Sequence, residues 1–261
     1  MYSFEKYSST SSSSSSSIVL LFHGFGQSNK EMRTLAKYLQ KNGETVYAFD
    51  LPYHGKSKKD KKNSKTDLNN LEFIFNTFLK DEGIVNFKLV GYSMGAKFAI
   101  SLAFLFPTKV IKLDLIAPFG VLKNKFYDLV VNTSFGRYLF KFLLAKYRFL
   151  YFISQCLLKV RVINPSTAKF IALRLIDDKY KQLLYDSWLG FRFLNLEFEK
   201  VILILNENVI HTSFYLGSYD KMLSIKKVEK KIATLNNKSF YVLNRGHDDL
   251  IYSKQLFQLL R

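Results

Sequence analysis

The chain has 261 residues, 48% of them hydrophobic and 16% aromatic, a content that excludes a disordered or fibrous protein and allows one large core, alone or with an insert. Its net charge of +18 leaves an anionic partner open, but the lysines are scattered and carry no nucleic-acid motif, so no nucleic-acid partner is expected. A single cysteine, Cys156, excludes an internal disulfide and points to no oxidising compartment.

The N-terminal residues Met1 to Lys6 lack a basic segment followed by an apolar run, and Ile18 to Phe22 is too short for a signal-peptide core, which predicts a cytoplasmic enzyme. A short first strand is expected near Tyr2 to Tyr7, followed by a serine-rich flexible connector ending at Ser17. Ile18 to Phe22 is a continuous apolar run and predicts a strand buried on both faces.

Helices and strands then alternate, the pattern of a mostly parallel sheet covered on both sides. Helices are expected at Lys30 to Lys41, Leu68 to Leu79 and Met94 to Phe106, the last stopped by Pro107. The strands between them are Thr45 to Phe49, Phe87 to Val90 and Val110 to Ile116. The lysine cluster Lys56 to Lys62 has no apolar periodicity and reads as a solvated loop.

From Pro118 to about Phe198 the alternation breaks into helices rich in Phe, Tyr, Leu, Lys and Arg, for example Tyr138 to Leu158. Residues 119–198 are therefore expected to form a helical lid on a core made of 18–118 and 199–261. Its charges, Lys141, Lys146 and Arg148 among them, exclude a simple membrane span but leave peripheral contact with an anionic membrane open. Of its aromatic residues, most of Phe126, Tyr127, Phe135, Tyr138, Trp188, Phe191 and Phe193 are expected to pack internally and a few to touch substrate. The core pattern resumes with a strand at Thr212 to Leu216, a helix near Ser224 to Ile232, a strand at Ser239 to Leu243 and a last helix over Asp249 to Leu260.

The chemistry-bearing residues fall at the ends of the predicted strands. Gly91-Tyr92-Ser93-Met94-Gly95 is a GxSxG placed between a strand and a helix, where a serine occupies a strained turn that side chains in place of the two glycines would block. His23-Gly24-Phe25-Gly26 follows the first core strand, so the backbone N–H groups of Phe25 and Met94 are the expected oxyanion donors, with His23 fixing the loop. Downstream, Asp220 and then His247 each follow a predicted strand, giving the chain order serine, acid, histidine. Asp114, Asp248 and Asp249 are alternative acids; Asp114, inside an apolar strand, is expected instead to pair with a nearby lysine.

These pieces, HGFG at 23, DLPYHGKS at 50, GYSMGA at 91, LIAP at 115, LGSYDKM at 216 and RGHDDL at 245, resemble the lidded, esterase-like α/β hydrolases along nearly the whole core and leave the lid unmatched. One departure is Tyr53, which stands where the family's turn usually has glycine. The resemblance implies a serine hydrolase acting on a carboxylic ester or thioester through an acyl-enzyme on Ser93, without cofactor or metal. Carbon–carbon bond hydrolysis or lyase chemistry on a small carboxylate, and a silent ligand-binding member of the fold, are the alternatives. Lys97, one turn after Ser93, with Tyr92 and Trp188, are candidate substrate contacts. His54 and His211 have no ligand-spaced partners, and Cys156 is expected to be core filler.

Overall fold

The computed structural model describes residues 2–9, 17–57, 66–163 and 165–260. Most of the serine connector and Lys58 to Lys62 of the lysine cluster lie outside the described residues.

Seven strands form one sheet: β1 (Phe4–Tyr7), β2 (Ile18–Phe22), β3 (Thr45–Phe49), β4 (Phe87–Tyr92), β5 (Val110–Ile116), β6 (His211–Gly217) and β7 (Lys238–Leu243). Their order is β1-β3-β2-β4-β5-β6-β7, with β1 antiparallel to β3 and every other pair parallel. The chain runs outward in one direction from β2 to β3 and in the other from β2 to β4. The strand order therefore reverses between β2 and β4, and at such a point the loops beyond the carboxyl ends diverge and leave a crevice.

Strand alternation divides the core. Leu20 and Phe22 point to one face, where the Phe22 ring stacks on Phe49 at 5.4 Å and on Phe98 at 6.3 Å and meets Phe75 at 5.9 Å. Phe75 belongs to α2 (Leu68–Asp81) and Phe98 to α3 (Gly95–Leu105), so these two helices cover that face. Val19 and Leu21 point to the other, in one cluster with Leu35 and Leu39 of α1 (Arg33–Lys41) and, from the C-terminal helix, Leu256 and Leu260. Truncating a buried ring such as Phe98 in a core of this kind costs about 3–5 kcal/mol. Helix α3 is buried all round from Gly95 to Ala103, which explains why its sequence shows almost no polar stripe.

The chain forms two compact units, Met1–Leu122 with Phe193–Arg261, and Lys123–Arg192. The second consists of α4 (Lys125–Asn132), α5 (Ser134–Ala145), α6 (Tyr147–Lys159), α7 (Pro165–Arg174) and α8 (Asp178–Gly190). The first closes with α9 (Phe198–Glu207), α10 (Ile225–Lys231) and α11 (Lys254–Leu260).

Four local expectations need correction. The run from Tyr138 to Leu158 is two helices broken at Lys146, whose backbone (φ −104°, ψ 59°) leaves the helical region although no proline or glycine marks the place. Helix α5 directs Phe140 against α8 while α6 packs on α7, so packing direction decides the break. The last helix is likewise divided: a single 3₁₀ turn over Leu250–Tyr252 precedes α11, because the Ser253 hydroxyl accepts from Leu256 N–H at 3.4 Å and restarts the helix. Cys156 is exposed rather than core filler. Finally, Phe126, Phe135 and Tyr138 are about 70% exposed, so internal packing holds for Tyr127 and Phe191 but not for them.

Candidate active site

Ser93 follows β4 and immediately precedes α3. Its φ of +49° lies in the left-handed region, which costs a residue with a Cβ about 1–2 kcal/mol and persists only where the surroundings force it. The forcing contacts are visible. Ser93 N–H donates to Ile116 C=O at 2.9 Å, and Ser93 C=O accepts from Phe119 N–H at 3.0 Å and Ala96 N–H at 3.1 Å. Side chains are excluded on both flanks: a Cβ on Gly91 would lie 2.6 Å from Ala96 Cα, and one on Gly95 would lie 2.3 Å from Phe22 C=O. The serine is thus held out at the end of the strand, with Met94 capping α3, where the first amides have no intrahelical acceptor.

Ser93 Oγ lies 2.9 Å from His247 Nε2, and His247 Nδ1 lies 2.7 Å from Asp220 Oδ2. The acid's other oxygen accepts from Met222 N–H at 2.7 Å and Leu223 N–H at 3.2 Å, so its carboxylate cannot rotate away from the ring without losing both. Asp220 comes from the loop after β6 and His247 from the loop after β7, and Tyr219 N–H to Arg245 C=O at 3.0 Å joins the two loops. Asp114 does not take part. It pairs with Lys112 at 3.1 Å and accepts from Tyr215 O–H at 2.8 Å inside the sheet, where burial raises its pKa. Asp249 lies 4.0 Å from Arg245.

The HGFG loop is held by two histidines. His23 Nδ1–H donates to Gly24 C=O at 2.7 Å, and Nε2 accepts from Leu51 N–H at 3.0 Å. His54 Nδ1–H donates to Pro52 C=O at 2.9 Å, and its Nε2 accepts from Gly26 N–H at 3.1 Å. Each ring needs one bare nitrogen to make both bonds, so each is a neutral imidazole. Phe25, between the two tethered glycines, meets the His54 ring edge-on at 5.7 Å. Spacing singled out His23 for this loop-fixing position and missed His54, since its partner Gly26 is 28 residues away. Asp50 was also missed: its two oxygens accept from Asn29 N–H and Lys56 N–H, each at 2.7 Å, and lock the turn in which Tyr53 adopts φ +69°. The tyrosine at the usual glycine position therefore keeps the glycine-type backbone.

This arrangement has a pH signature. Burial, with His54 beside it, lowers the His23 pKa to about 3, whereas in the unfolded chain it is 6.5. The unfolded state therefore binds a proton that the folded state refuses, so His23's contribution to stability is full above about pH 6.5 and is lost as pH falls toward 3. The loss approaches about 1.4 kcal/mol per pH unit. Burial lowers His54 in the same direction. Urea denaturation from pH 7 to pH 4 is expected to show this slope, reduced in His23→Gln; an equal slope in that variant would contradict the assignment.

Of the three candidate substrate contacts, Tyr92 is only 2% exposed and its hydroxyl donates to His247 C=O at 3.0 Å, so it supports the histidine loop. Lys97 is also 2% exposed, with its ammonium 5.7 Å from the Phe119 ring centre. Trp188 lies in the helical unit, between Tyr127 and Phe140 at ring distances of 5.2 Å each, with its C=O accepting from Tyr127 O–H.

The sequence profile of the alpha/beta hydrolase fold family matches residues 17–151. An abhydrolase domain-containing protein of Schizosaccharomyces pombe is 36% identical over 115 residues, which is 44% of this chain and 41% of the relative, so the match spans less than half of that protein's length. Among solved structures, a thermophilic esterase from Thermogutta terrifontis superposes with a TM-score of 0.69 at 16% identity, covering 100% of this chain and 91% of the esterase. The thioesterase domain from the curacin biosynthetic pathway superposes at 0.64 with 16% identity, covering 100% of this chain and 98% of the domain. At these identities the structural likeness concerns the fold.

Proposed function

The chain belongs to the α/β hydrolase fold family, and from that premise we propose that it is a serine hydrolase that cleaves a carboxylic ester or thioester through an acyl-enzyme on Ser93. The observation that carries the reading is the unbroken line from Ser93 Oγ through His247 to Asp220. In the first step Oγ attacks the acyl carbon while Nε2 of His247 takes its proton, and Asp220 steadies the resulting imidazolium through Nδ1–H. The carbonyl oxygen gains negative charge and is received by the N–H groups of Phe25 and Met94. Collapse of the tetrahedral species expels the alcohol or thiol, which takes the proton from His247. Water, deprotonated by the same histidine, then attacks the acyl-enzyme, releasing the acid and restoring Ser93.

A silent binding protein on this scaffold predicts a spoiled triad, and hydrogen-bond distances of 2.9 Å and 2.7 Å speak against that reading. The helical unit is inserted after β5, whose carboxyl end pairs with Tyr92 beside the serine, and this point of insertion supports a cap role for Lys123–Arg192. The test is to follow p-nitrophenyl esters and matched acyl thioesters of increasing chain length alongside fluorophosphonate labelling. Covalent labelling with turnover of either series is the expected result, and the ratio of the two series assigns the leaving group. Folded wild-type protein that takes no label would overturn the acyl-enzyme.

A further inference from the structure

The helical unit carries an apolar surface that its own packing does not explain. On α5, Phe140 stacks on Trp188 at 5.2 Å and Tyr185 at 5.8 Å, and Gly136 and Leu144 are buried, so one side of this helix is already satisfied within the unit. The side formed by Phe135, Tyr138, Leu139 and Phe142, spaced i, i+3, i+4 and i+7, is a second continuous apolar stripe exposed by 40–73%. The next helix repeats the feature with Phe149 and Phe152, 50% and 64% exposed. Soluble helices rarely leave a whole stripe of large aromatics in water.

Charge identifies the occupant. Between Asp128 and Asp177 the chain has eight lysines and arginines and no acid. An apolar stripe on a segment whose only charged residues are cations complements a surface that is apolar beneath an anionic layer. A second copy of this chain would bring like charges together across the same face, which is costly at an interface. No helix among the described residues is long and apolar enough to cross a membrane, so such helices would lie along it. The geometry points to α5 and α6 as a peripheral docking surface for an anionic lipid bilayer, with the rings of Phe135, Phe142, Phe149 and Phe152 seated at the level of the headgroups. This goes beyond the hydrolase reading and does not depend on it.

The experiment is co-sedimentation of the full chain with phosphatidylcholine vesicles, with and without phosphatidylglycerol. Three proteins are compared: wild type, Phe135→Ser with Phe142→Ser, and Lys141→Glu with Lys146→Glu. All four positions are in the exposed class, so the variants are expected to keep the wild-type circular dichroism and melting temperature. Wild type is expected to bind the phosphatidylglycerol vesicles at low salt, to release from them at high salt, and to bind neutral vesicles weakly. Each double variant is expected to bind at least about tenfold more weakly. Absence of wild-type binding at low salt would overturn the proposal. So would undiminished binding by the folded Phe135→Ser, Phe142→Ser protein. Self-association abolished by that variant, without vesicle binding, would assign the stripe to a second copy instead.

Discussion

On the proposed acyl-enzyme mechanism, Ser93→Ala is expected to lower kcat/KM on any ester the protein cleaves by about a million-fold, because it removes the atom that would carry the acyl group, while leaving the fold unchanged. The geometry also makes a sharper prediction at the acid. In Asp220→Asn the amide oxygen would stay with Met222 and Leu223 N–H, which hold Oδ1, and the NH₂ group would face His247 Nδ1. That nitrogen would have to become an acceptor, placing the ring proton on Nε2, where it can no longer receive the serine proton. A loss of about 10⁴-fold follows from the wrong tautomer. Asp114→Asn, by contrast, keeps an acceptor for Tyr215 O–H and lies outside the triad, so its rate should stay within a few-fold of wild type. Steady-state kinetics on the three variants check the whole assignment. Asp114→Asn losing as much as Asp220→Asn would put the acid in the wrong place.

The second large effect is structural. Gly95→Ala is expected to destabilise the protein by about 3 kcal/mol or more and to abolish activity in whatever folds, as measured by urea denaturation and ester turnover. The added methyl would meet backbone, 2.3 Å from Phe22 C=O and 2.6 Å from His23 C=O, and no rotamer change can relieve it. Either β2 or α3 must shift. Both carry site residues, since β2 leads into the HGFG loop and α3 begins at the elbow. Gly83→Ala is the control: Gly83 also has positive φ, +64°, but a methyl there meets nothing within 4 Å. It should cost only the left-handed backbone penalty of about 1–2 kcal/mol and leave activity intact.

Much of this molecule was legible before any coordinates. Strands β2, β3 and β5 run over the residues expected from sequence, because short β-branched and aromatic runs bounded by turn signals have few other ways to be buried. The meeting of Ser93, His247 and Asp220 was legible for a different reason. A GxSxG between strand and helix, an aspartate after one later strand and a histidine after the next must all emerge at one edge once the sheet is parallel.

The helical unit was legible only in kind. Its break at Lys146 carries no local signal, and outside it, in the first unit, α9 was not anticipated. The aromatics there could not be divided into inner and outer sets from sequence, because α5 is apolar on two sides and its 3.6-residue periodicity does not say which side meets α8. Sequence likewise named Tyr92 for substrate and passed over His54. Each acts through a backbone group far along the chain, Tyr92 on His247 and His54 on Gly26.

By itself, then, the sequence determined the parallel sheet, the strained serine and the order of its partners, all of which follow from local periodicity and from glycines that only one backbone path requires. The tertiary structure decided which carboxylate reaches His247, that His54 joins in holding the HGFG loop and which rings of the helical unit face solvent. Those outcomes depend on distances between residues 27 or more positions apart, and such distances are settled by how the elements pack.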